Sequence, residues 1–386
     1  MTANDILFSI LRAEICGVEI DKNVANLIDD DLLKKLYLTA KKHDMVHIVA
    51  LWLSKSRISM LSKAQDYFLS KFVFAIRRYE QMNKDYECIC KILEEEKIPY
   101  IPLKGAVIRD FYPEPWMRTS CDIDILVKEE DLERAAKAIS EKLSFKSDGS
   151  RDYHDISMFS ESCTHLELHF NIKENMENID GVLSDVWKYS QSDTDGGYRY
   201  KMTNEFLLFH IVSHMAYHVK CGGCGIRAFI DLYLLENNLS YDESKLLCLC
   251  EKCSIDTFRK AVEKLSAVWM GQQEHDELSK QLEEFILDGG LYGDIESAAA
   301  IKQTKNGGRT KYLLTLVFQP YEVLKEKYPV LKKHKWLIPF YQMKRWCKLA
   351  VTERGRYAGC YLKAGKSFTE SEIDKKVKLF KVLELY

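Results

Sequence analysis

The spacing of apolar residues changes twice along the chain. From Asp5 to Lys97 apolar residues recur every three or four positions, which is the period of helices that bury one face. Within this segment, residues 59–95 predict one long amphipathic helix, unbroken or broken once. It ends before Pro99, because proline cannot continue a helix. We therefore predict an N-terminal helical segment over residues 1–96.

The period then becomes two, which predicts strands. Strand-like segments lie at 100–103, 123–127, 155–159 and 165–170, and helix-like segments lie at 106–111 and 129–143. Helical spacing returns after Thr203. The predicted fold class is α+β, with a small mixed sheet in residues 97–202. This unit is flanked by the N-terminal helices and by a large C-terminal helical domain over residues 203–386.

The overall charge is close to neutral. The 386 residues contain 56 basic and 58 acidic side chains, which gives a formal net charge of −2 and no general electrostatic argument for nucleic-acid binding. No run of 18 uncharged apolar residues occurs, and the first residues lack the pattern of a signal peptide. We expect a cytoplasmic protein whose twelve cysteines are mostly reduced, buried thiols.

Three carboxylates lie on the predicted strands. Asp122 and Asp124 project from one face of their strand, and Glu167 shares its face with His165 and His169. Two carboxylates about 4 Å apart repel by roughly 4 kcal/mol at an effective dielectric of 20, so a cation or a proton must separate them. A lone Asp-x-Asp is more often a solvated strand edge. If the two strands are neighbours, the three oxygen ligands suit Mg²⁺ or Mn²⁺.

These residues resemble a known family. The most specific matching segments are Ile98-Pro-Tyr-Ile-Pro-Leu-Lys-Gly105, Tyr112-Pro113, Arg118, Asp122-Ile-Asp-Ile-Leu-Val127 and Leu166-Glu-Leu-His169. The resemblance extends beyond them through His210, His214, Gly225, Arg227, Asp231 and residues 329–345. The pattern resembles the uncharacterised nucleotidyltransferase family of the DNA polymerase beta superfamily. The resemblance implies a minimal palm that transfers a nucleoside monophosphate from an NTP to a hydroxyl acceptor, with pyrophosphate release.

The resemblance also implies roles for single residues. Asp122 and Asp124 would bind both metal ions, Mg²⁺ or Mn²⁺, and Glu167 would complete one metal site and align or deprotonate the acceptor. The nucleotide-binding residues would be Lys104, Gly105, Arg118 and Arg227. Gly105 would allow close approach of the triphosphate, and Lys104 would supply a positive charge. For Arg118, an ordinary salt bridge to Asp122 or Glu114 is the alternative.

One departure from the superfamily pattern supports a second hypothesis. The turn Lys104-Gly105-Ala106 lacks the serine that better-characterised members carry there, which favours a catalytically weak or inactive nucleotide-binding regulatory module. A third hypothesis is a helical interaction protein whose acidic strand is incidental. The sequence indicates neither the acceptor, nor the preferred base, nor the oligomeric state.

Other polar clusters have simpler interpretations. His210, His214 and His218 share a helical face, and a structural zinc site could draw on four cysteines, Cys221, Cys224, Cys250 and Cys253. Buried thiols and hydrogen-bonded histidines are the favoured interpretation. Arg227 and Asp231 are spaced for an ion pair on one helix. The basic, aromatic segment 309–350 is better explained by helix packing than by nucleic-acid binding.

Overall fold

The structure, a computed structural model, describes residues 1–21, 23–56, 62–151, 153–193, 196–290, 311, 314, 317–351 and 370–385. The contacts within the chain divide it into two compact units. The first contains Met1–Tyr217 and Gly225–Glu283, and the second contains His218–Cys224 and Glu284–Tyr386. The division into segments 1–96, 97–202 and 203–386 stays a prediction.

Five helices form the N-terminal part of the first unit. They are α1 (Ala3–Cys16), α2 (Val24–Leu27), α3 (Asp30–Lys42), α4 (Val46–Lys55) and α5 (Ser62–Glu95). The predicted long helix is confirmed as the single element α5, which is about 50 Å long at 1.5 Å per residue. Part of α5 packs against α4, and its later turns contribute Met82, Ile89 and Leu93 to the core below the sheet.

The sheet follows directly after α5. Its elements are β1 (Tyr100–Pro102), α6 (Gly105–Ile108), β2 (Asp122–Val127), α7 (Leu132–Leu143), β3 (Lys146–Arg151), β4 (Asp155–Phe159) and β5 (His165–His169). The strand order is β1-β2-β5-β4-β3, with β2 and β5 parallel and the other pairs antiparallel. The predicted α+β class with a mixed sheet is therefore confirmed. Strand β3 was not predicted, because its sequence is polar and has no apolar alternation.

The two faces of the central strands differ in polarity. Ile123 and Ile125 of β2 lie beside Leu166 and Leu168 of β5, and all four are buried against α5 and α7. Because side chains alternate along a strand, the intervening residues project from the other face. That opposite face carries the acidic and histidine residues of both strands. Burial of the apolar face thus fixes the register that places the polar side chains.

Helices make up most of the remaining described chain. The further elements are α8 (Glu177–Leu183), β6 (Ser190–Ser192), β7 (Tyr200–Met202), α9 (Asn204–Lys220), α10 (Ile226–Asn238), α11 (Glu243–Lys252), α12 (Asp256–Gly271), α13 (Glu277–Gly289) and the helices Tyr321–Lys327, Ile338–Val351 and Glu370–Val382. The return of helices after Thr203 is confirmed. The hairpin β6–β7 was not predicted. None of the helices in the described parts is long and apolar enough to cross a membrane.

The basic segment 309–350 lies partly outside the described residues. Where it is described, Trp336 is 76% exposed, and the ring of Tyr341 packs 4.6 Å from the ring of Tyr328. The lysines at 332, 333 and 335 are exposed. Nucleic-acid binding by this segment stays the less favoured of its two interpretations.

Candidate functional site

The parallel pairing of β2 and β5 brings the three predicted carboxylates together. Asp122 lies opposite His165 in the register, and Asp124 lies opposite Glu167. Two groups of three side chains have ligand atoms within 4.8 Å of one another. One group is Asp124, Glu167 and His169, and the other is Asp122, His165 and Glu167. The expectation that the two acidic strands are neighbours is correct.

Arg78 of α5 holds the beginnings of both strands. Its guanidinium donates to the carbonyl of Cys121, 3.1 Å away and just before β2, and to the carbonyl of Cys163, 3.3 Å away and just before β5. Sequence analysis did not single out this arginine, since its partners are backbone groups far along the chain. The two hydrogen bonds help to fix the relative height of the acidic side chains.

Asp124 is the most enclosed carboxylate of the site. Its Oδ1 lies 3.5 Å from the ammonium of Lys104 and 3.0 Å from Nε2 of His169. Burial opposes the charge of Asp124, but Lys104 and His169 outweigh that cost and hold the pKa of the carboxyl well below its usual range. Asp124 is therefore a buried anion that two cationic groups already contact.

His169 bridges two of the carboxylates. Its Nε2 is also 3.4 Å from Oε2 of Glu167. Burial disfavours the imidazolium, yet the hydrogen bonds to Asp124 and Glu167 prevail and raise the pKa of His169 to about 9. The two-residue period of the strand predicted the face on which His169 lies. Its hydrogen bond with Asp124 depends on strand pairing across 45 positions, which the period does not predict.

Asp122 and Glu167 are more accessible than Asp124. Ser120 donates to Oδ1 of Asp122 over 3.0 Å, while burial, followed by the charges of Asp124 and Glu167, raises the pKa of Asp122. The hydrogen bond from His169 lowers the pKa of Glu167, whose side chain is 25% exposed. The site thus holds three carboxylates in different electrostatic settings.

Lys104 occupies an unusual backbone conformation between β1 and α6. Its φ of +40° lies in the region that favours glycine. A strained non-glycine residue persists only where its surroundings hold it. Here the side chain reaches Asp124, and burial of the ammonium is outweighed by the charges of Asp124 and Glu174, so the pKa of Lys104 is raised.

Gly105 makes room for an arginine. A Cβ at this position would lie 2.8 Å from Nη1 of Arg118, 3.2 Å from Oγ of Ser120 and 3.5 Å from Nη2 of Arg109. The first distance is too short and the second is tight, whereas the third is an ordinary van der Waals contact. A side chain at position 105 would therefore have to displace the guanidinium of Arg118, which Asp231 holds in place. Close approach of a triphosphate to this glycine stays a prediction.

Arg118 forms a buried bidentate pair with Asp231. Its Nε and Nη2 donate to the two carboxylate oxygens over 2.9 and 2.7 Å, and the hydroxyl of Tyr112 donates to the same carboxylate over 2.7 Å. The alternative prediction, a salt bridge from Arg118 to Asp122 or Glu114, was wrong. The true partner lies 113 positions away and could not be identified from local spacing.

The expected ion pair between Arg227 and Asp231 does not form. Asp231 faces inward, 4% exposed, toward Arg118. Arg227 instead donates from Nη1 to the carbonyl of Thr119 over 2.7 Å. Arg227 thereby contacts the segment that leads to Asp122, which keeps it close to the predicted site.

A cavity of about 220 Å³ adjoins the carboxylates. Lys104 and His169 line one part of it, and His210, His214 and Glu174 line another. Nδ1 of His214 lies 2.7 Å from Oε1 of Glu174, and this interaction outweighs burial and lowers the pKa of Glu174 to about 2. Sequence analysis placed the histidines on one face but missed Glu174, which lies in an irregular segment without a period.

The histidines and cysteines of the alternative zinc hypothesis have other environments. Among the described residues, the groups able to hold a metal ion include neither His210 nor His214. Cys250 and Cys253 are buried, and burial raises the pKa of their thiols to about 12 and about 11. The prediction of buried thiols and hydrogen-bonded histidines is therefore correct only in part. Cys221 and four further cysteines of the described chain are exposed, and Nδ1 of the buried His210 has no hydrogen-bond partner there. His218 and Cys221 belong to the second unit.

An acidic Asp-x-Asp strand beside a glutamate strand, backed by two helices, is the arrangement expected of a nucleotidyltransferase palm. The model of a family described as an uncharacterised nucleotidyltransferase matches residues 30–271, which is more than half of the chain. The chain belongs to this family and is a nucleotidyltransferase. The match begins at the first residue of α3 and ends at the last residue of α12.

Two solved structures are similar to the chain at low identity. The antibiotic-resistance factor ANT(2'')-Ia is 16% identical, with 48% of this chain and 96% of that chain covered and a TM-score of 0.33. The Thermotoga maritima CCA-adding enzyme, solved with tRNA, is 13% identical, with coverage of 81% and 84% and a TM-score of 0.22. These values carry no argument about the substrate. A comparison with curated proteins found no match.

Proposed function

We propose that this protein transfers a nucleoside monophosphate from an NTP to a hydroxyl acceptor, using divalent metal ions held by Asp122, Asp124 and Glu167. The observation that carries the proposal is the parallel register that sets these three side chains on one face of neighbouring strands. The proposed ligands are carboxylate oxygens, which suit Mg²⁺ or Mn²⁺. In the described chain, each of the two possible metal-binding groups that contain them sets two carboxylates beside one histidine, His165 or His169. Bound there, such ions would supply charge stabilisation for the attacking and leaving oxygens.

Each carboxylate has a distinct part in this proposal. Asp124 is a permanently ionised anchor, because Lys104 and His169 favour its charged form. Asp122 gains most from a cation, since burial and then the neighbouring carboxylates raise its pKa. Glu167 is partly exposed and ionised, so it is placed to accept a hydrogen bond from the acceptor hydroxyl and to draw away its proton.

The predicted nucleotide contacts have different structural support. Lys104 brings a positive charge to the carboxylates and to any phosphate beside them. Arg118 is committed to Asp231 through two of its nitrogens, which leaves Nη1 for a ligand. Arg227 acts through the carbonyl of Thr119, next to Ser120, so we assign it a positioning role.

One observation favours the second candidate, a weak or inactive nucleotide-binding regulatory module. Oδ1 of Asp124 is contacted by both Lys104 and His169, and each cation competes with a metal ion for that oxygen. A metal ion would therefore displace or share these contacts at an energetic cost. This candidate predicts nucleotide binding without release of pyrophosphate.

The proposal is tested with four single variants. Asp122→Asn, Asp124→Asn and Glu167→Gln remove one carboxylate each, and Glu161→Gln changes an exposed glutamate in the turn before β5 as the matched control. The assay follows pyrophosphate release and transfer of label from α-labelled NTPs to a panel of sugars, aminoglycosides, RNA ends and proteins. We expect each carboxylate variant to lose roughly a hundredfold or more, because metal stabilisation supplies several kcal/mol.

The outcomes separate the two candidates. Transfer that persists at the wild-type rate in Asp124→Asn would contradict the proposed metal site. Binding of an NTP, seen as a metal-dependent rise in the unfolding temperature, with no pyrophosphate release across the panel would favour the regulatory module.

A further inference from the structure

Arg109 is a buried arginine without an acidic partner. It follows α6 in a 3₁₀ turn, Arg109–Phe111, and is 7% exposed. Its Nε donates to the carbonyl of Gly105 over 2.7 Å, and its guanidinium lies 5.5 Å from the ring centre of Tyr79. Within the described chain, no carboxylate oxygen lies within 4.0 Å of it. A guanidinium stays charged at any physiological pH, so this buried charge has no carboxylate of the described chain in direct contact with it.

A second guanidinium lies beside the first. Nη1 of Arg118 and Nη2 of Arg109 both approach the position of a Cβ on Gly105, at 2.8 and 3.5 Å. The single carboxylate of this cluster, Asp231, is taken up by the other nitrogens of Arg118 and by Tyr112. Burial and the charge of Arg118 both lower the pKa of Arg109. Of the two guanidinium groups, only that of Arg118 is in direct contact with a carboxylate of the described residues.

This positive pair lies next to the carboxylate site. Oγ of Ser120 is 3.2 Å from the same Cβ position and donates to Oδ1 of Asp122 over 3.0 Å. One hydroxyl thus connects the arginines with the first carboxylate. These side chains lie beside the turn after β1, which has no serine of its own because alanine follows Gly105.

We propose that Arg109, together with Nη1 of Arg118 and the hydroxyl of Ser120, forms an anion subsite that binds the phosphate chain of the nucleotide. The proposal rests on the proposed function and adds a residue that the family resemblance did not supply. Arginine suits this ligand because its planar nitrogens match two phosphate oxygens at once. The phosphate oxygens would then supply the direct anionic contact that Arg109 lacks within the described chain.

The test measures binding of inorganic tripolyphosphate in EDTA by titration calorimetry. Without metal ions the carboxylates contribute no attraction, so basic side chains account for any affinity, and the Arg109 variants isolate the share of this arginine. We expect Arg109→Gln to weaken binding at least tenfold and Arg109→Lys to restore part of the loss. Arg134→Gln, which changes an arginine that is half exposed on α7, should bind as the wild type does. Thermal unfolding of each variant confirms that it is folded.

Two results would overturn the subsite. One is equal affinity in folded Arg109→Gln and wild type, and the other is no binding of tripolyphosphate by the wild type at millimolar concentration. The proposed function fails separately, because its test uses Asp122→Asn and Asp124→Asn with metal ions present. Those two variants should retain their affinity for tripolyphosphate in EDTA even when they have lost transfer.

Discussion

Lys104 has a strained backbone, and its side chain contacts the carboxylate site. Its φ of +40° belongs to a region in which a residue other than glycine is destabilised by roughly 1–2 kcal/mol. The ammonium lies 3.5 Å from Asp124, the centre of the carboxylate site. The protein therefore accepts local strain in order to place a positive charge at this point.

The strain can be measured by comparing two variants at this position. Lys104→Ala and Lys104→Gly both remove the ammonium, but only glycine tolerates the backbone angle. We expect Lys104→Gly to be more stable than Lys104→Ala by about 1–2 kcal/mol in urea unfolding, with nucleotidyl transfer impaired in both. Equal stability of the two variants would show that the backbone at this turn is relaxed.

At the scale of single residues, the two-residue period of the strands predicted which side chains share the polar face of the sheet. It could do so because alternation along a strand is a local property, as Asp122, Asp124 and Glu167 illustrate. The partners of these residues depend on contacts far along the chain. The pair of Arg118 with Asp231 and the pair of Glu174 with His214 therefore had no local signal.

At the scale of elements, α10 is joined to the segment before β2 by the buried pair of Arg118 and Asp231. Both side chains are less than a tenth exposed. Asp231→Asn leaves a buried guanidinium without its counter-charge, so we expect a loss of about 3–5 kcal/mol in unfolding free energy. Urea denaturation measures the loss.

The matched control is a surface pair. Asp31→Asn breaks an exposed pair with Lys35 on α3 and should cost less than about 1 kcal/mol. The double variant Arg118→Met/Asp231→Leu should lose less than the sum of its single changes, because neither charge is then left alone. Similar losses for Asp231→Asn and Asp31→Asn would mean that the buried pair is not a stabilising contact.

A pair of glutamates makes the contact between α10 and α12 sensitive to pH. Burial, followed by the charge of Glu263, raises the pKa of Glu236 to about 9 from an ordinary value of 4.5. The folded protein therefore holds a proton that the unfolded chain releases. This contribution to stability is fully present below pH 4.5 and is lost as the pH rises toward 9.

Glu236→Gln should remove this dependence, since the amide stays neutral and can still donate to Glu263. We expect the variant to exceed the wild type by about 1–3 kcal/mol at pH 8 and to match it near pH 4.5, in urea unfolding across that range. Glu274→Gln, at an exposed glutamate, is the control. A wild type that is as stable as Glu236→Gln at pH 8 would contradict the shift.

The success of sequence analysis also differed between elements. The helix α5 and the strands β2 and β5 have clear apolar periods, because each buries one face. Strand β3 and the hairpin β6–β7 are polar, and they form by pairing with neighbours rather than by burying a face of their own. Such strands leave no periodic signal in the sequence.

At the scale of the molecule, α5 links the N-terminal helices to the sheet. It packs against α4 near one end and supplies core residues beneath β2 and β5 near the other. Both regions belong to the first compact unit. A boundary at residue 96 therefore marks a change of sequence period, while the packing continues across it through one helix.

This continuity predicts that α4 and the sheet unfold together. Ile48→Ala in α4 and Leu168→Ala in β5 each remove a fully buried side chain and should cost about 2–5 kcal/mol. In hydrogen exchange followed by mass spectrometry, either variant should speed exchange equally in peptides from α4 and from β5. Faster exchange confined to the mutated region would show that the two regions open independently.

The parallel pairing of β2 with β5 also determines when the carboxylate site can form. The contact between Asp124 and His169 spans 45 positions, with α7, β3 and β4 between them. During synthesis on the ribosome, both aspartates emerge before Glu167 and His169 exist in the chain. Closing so large a loop has an entropic cost, which burial of the apolar face of β2 and β5 must offset before the site can form. A metal site made by these carboxylates would therefore be completed late in folding and could not guide it. We expect newly made chains to pass first through a helical, collapsed stage that has no affinity for the ion.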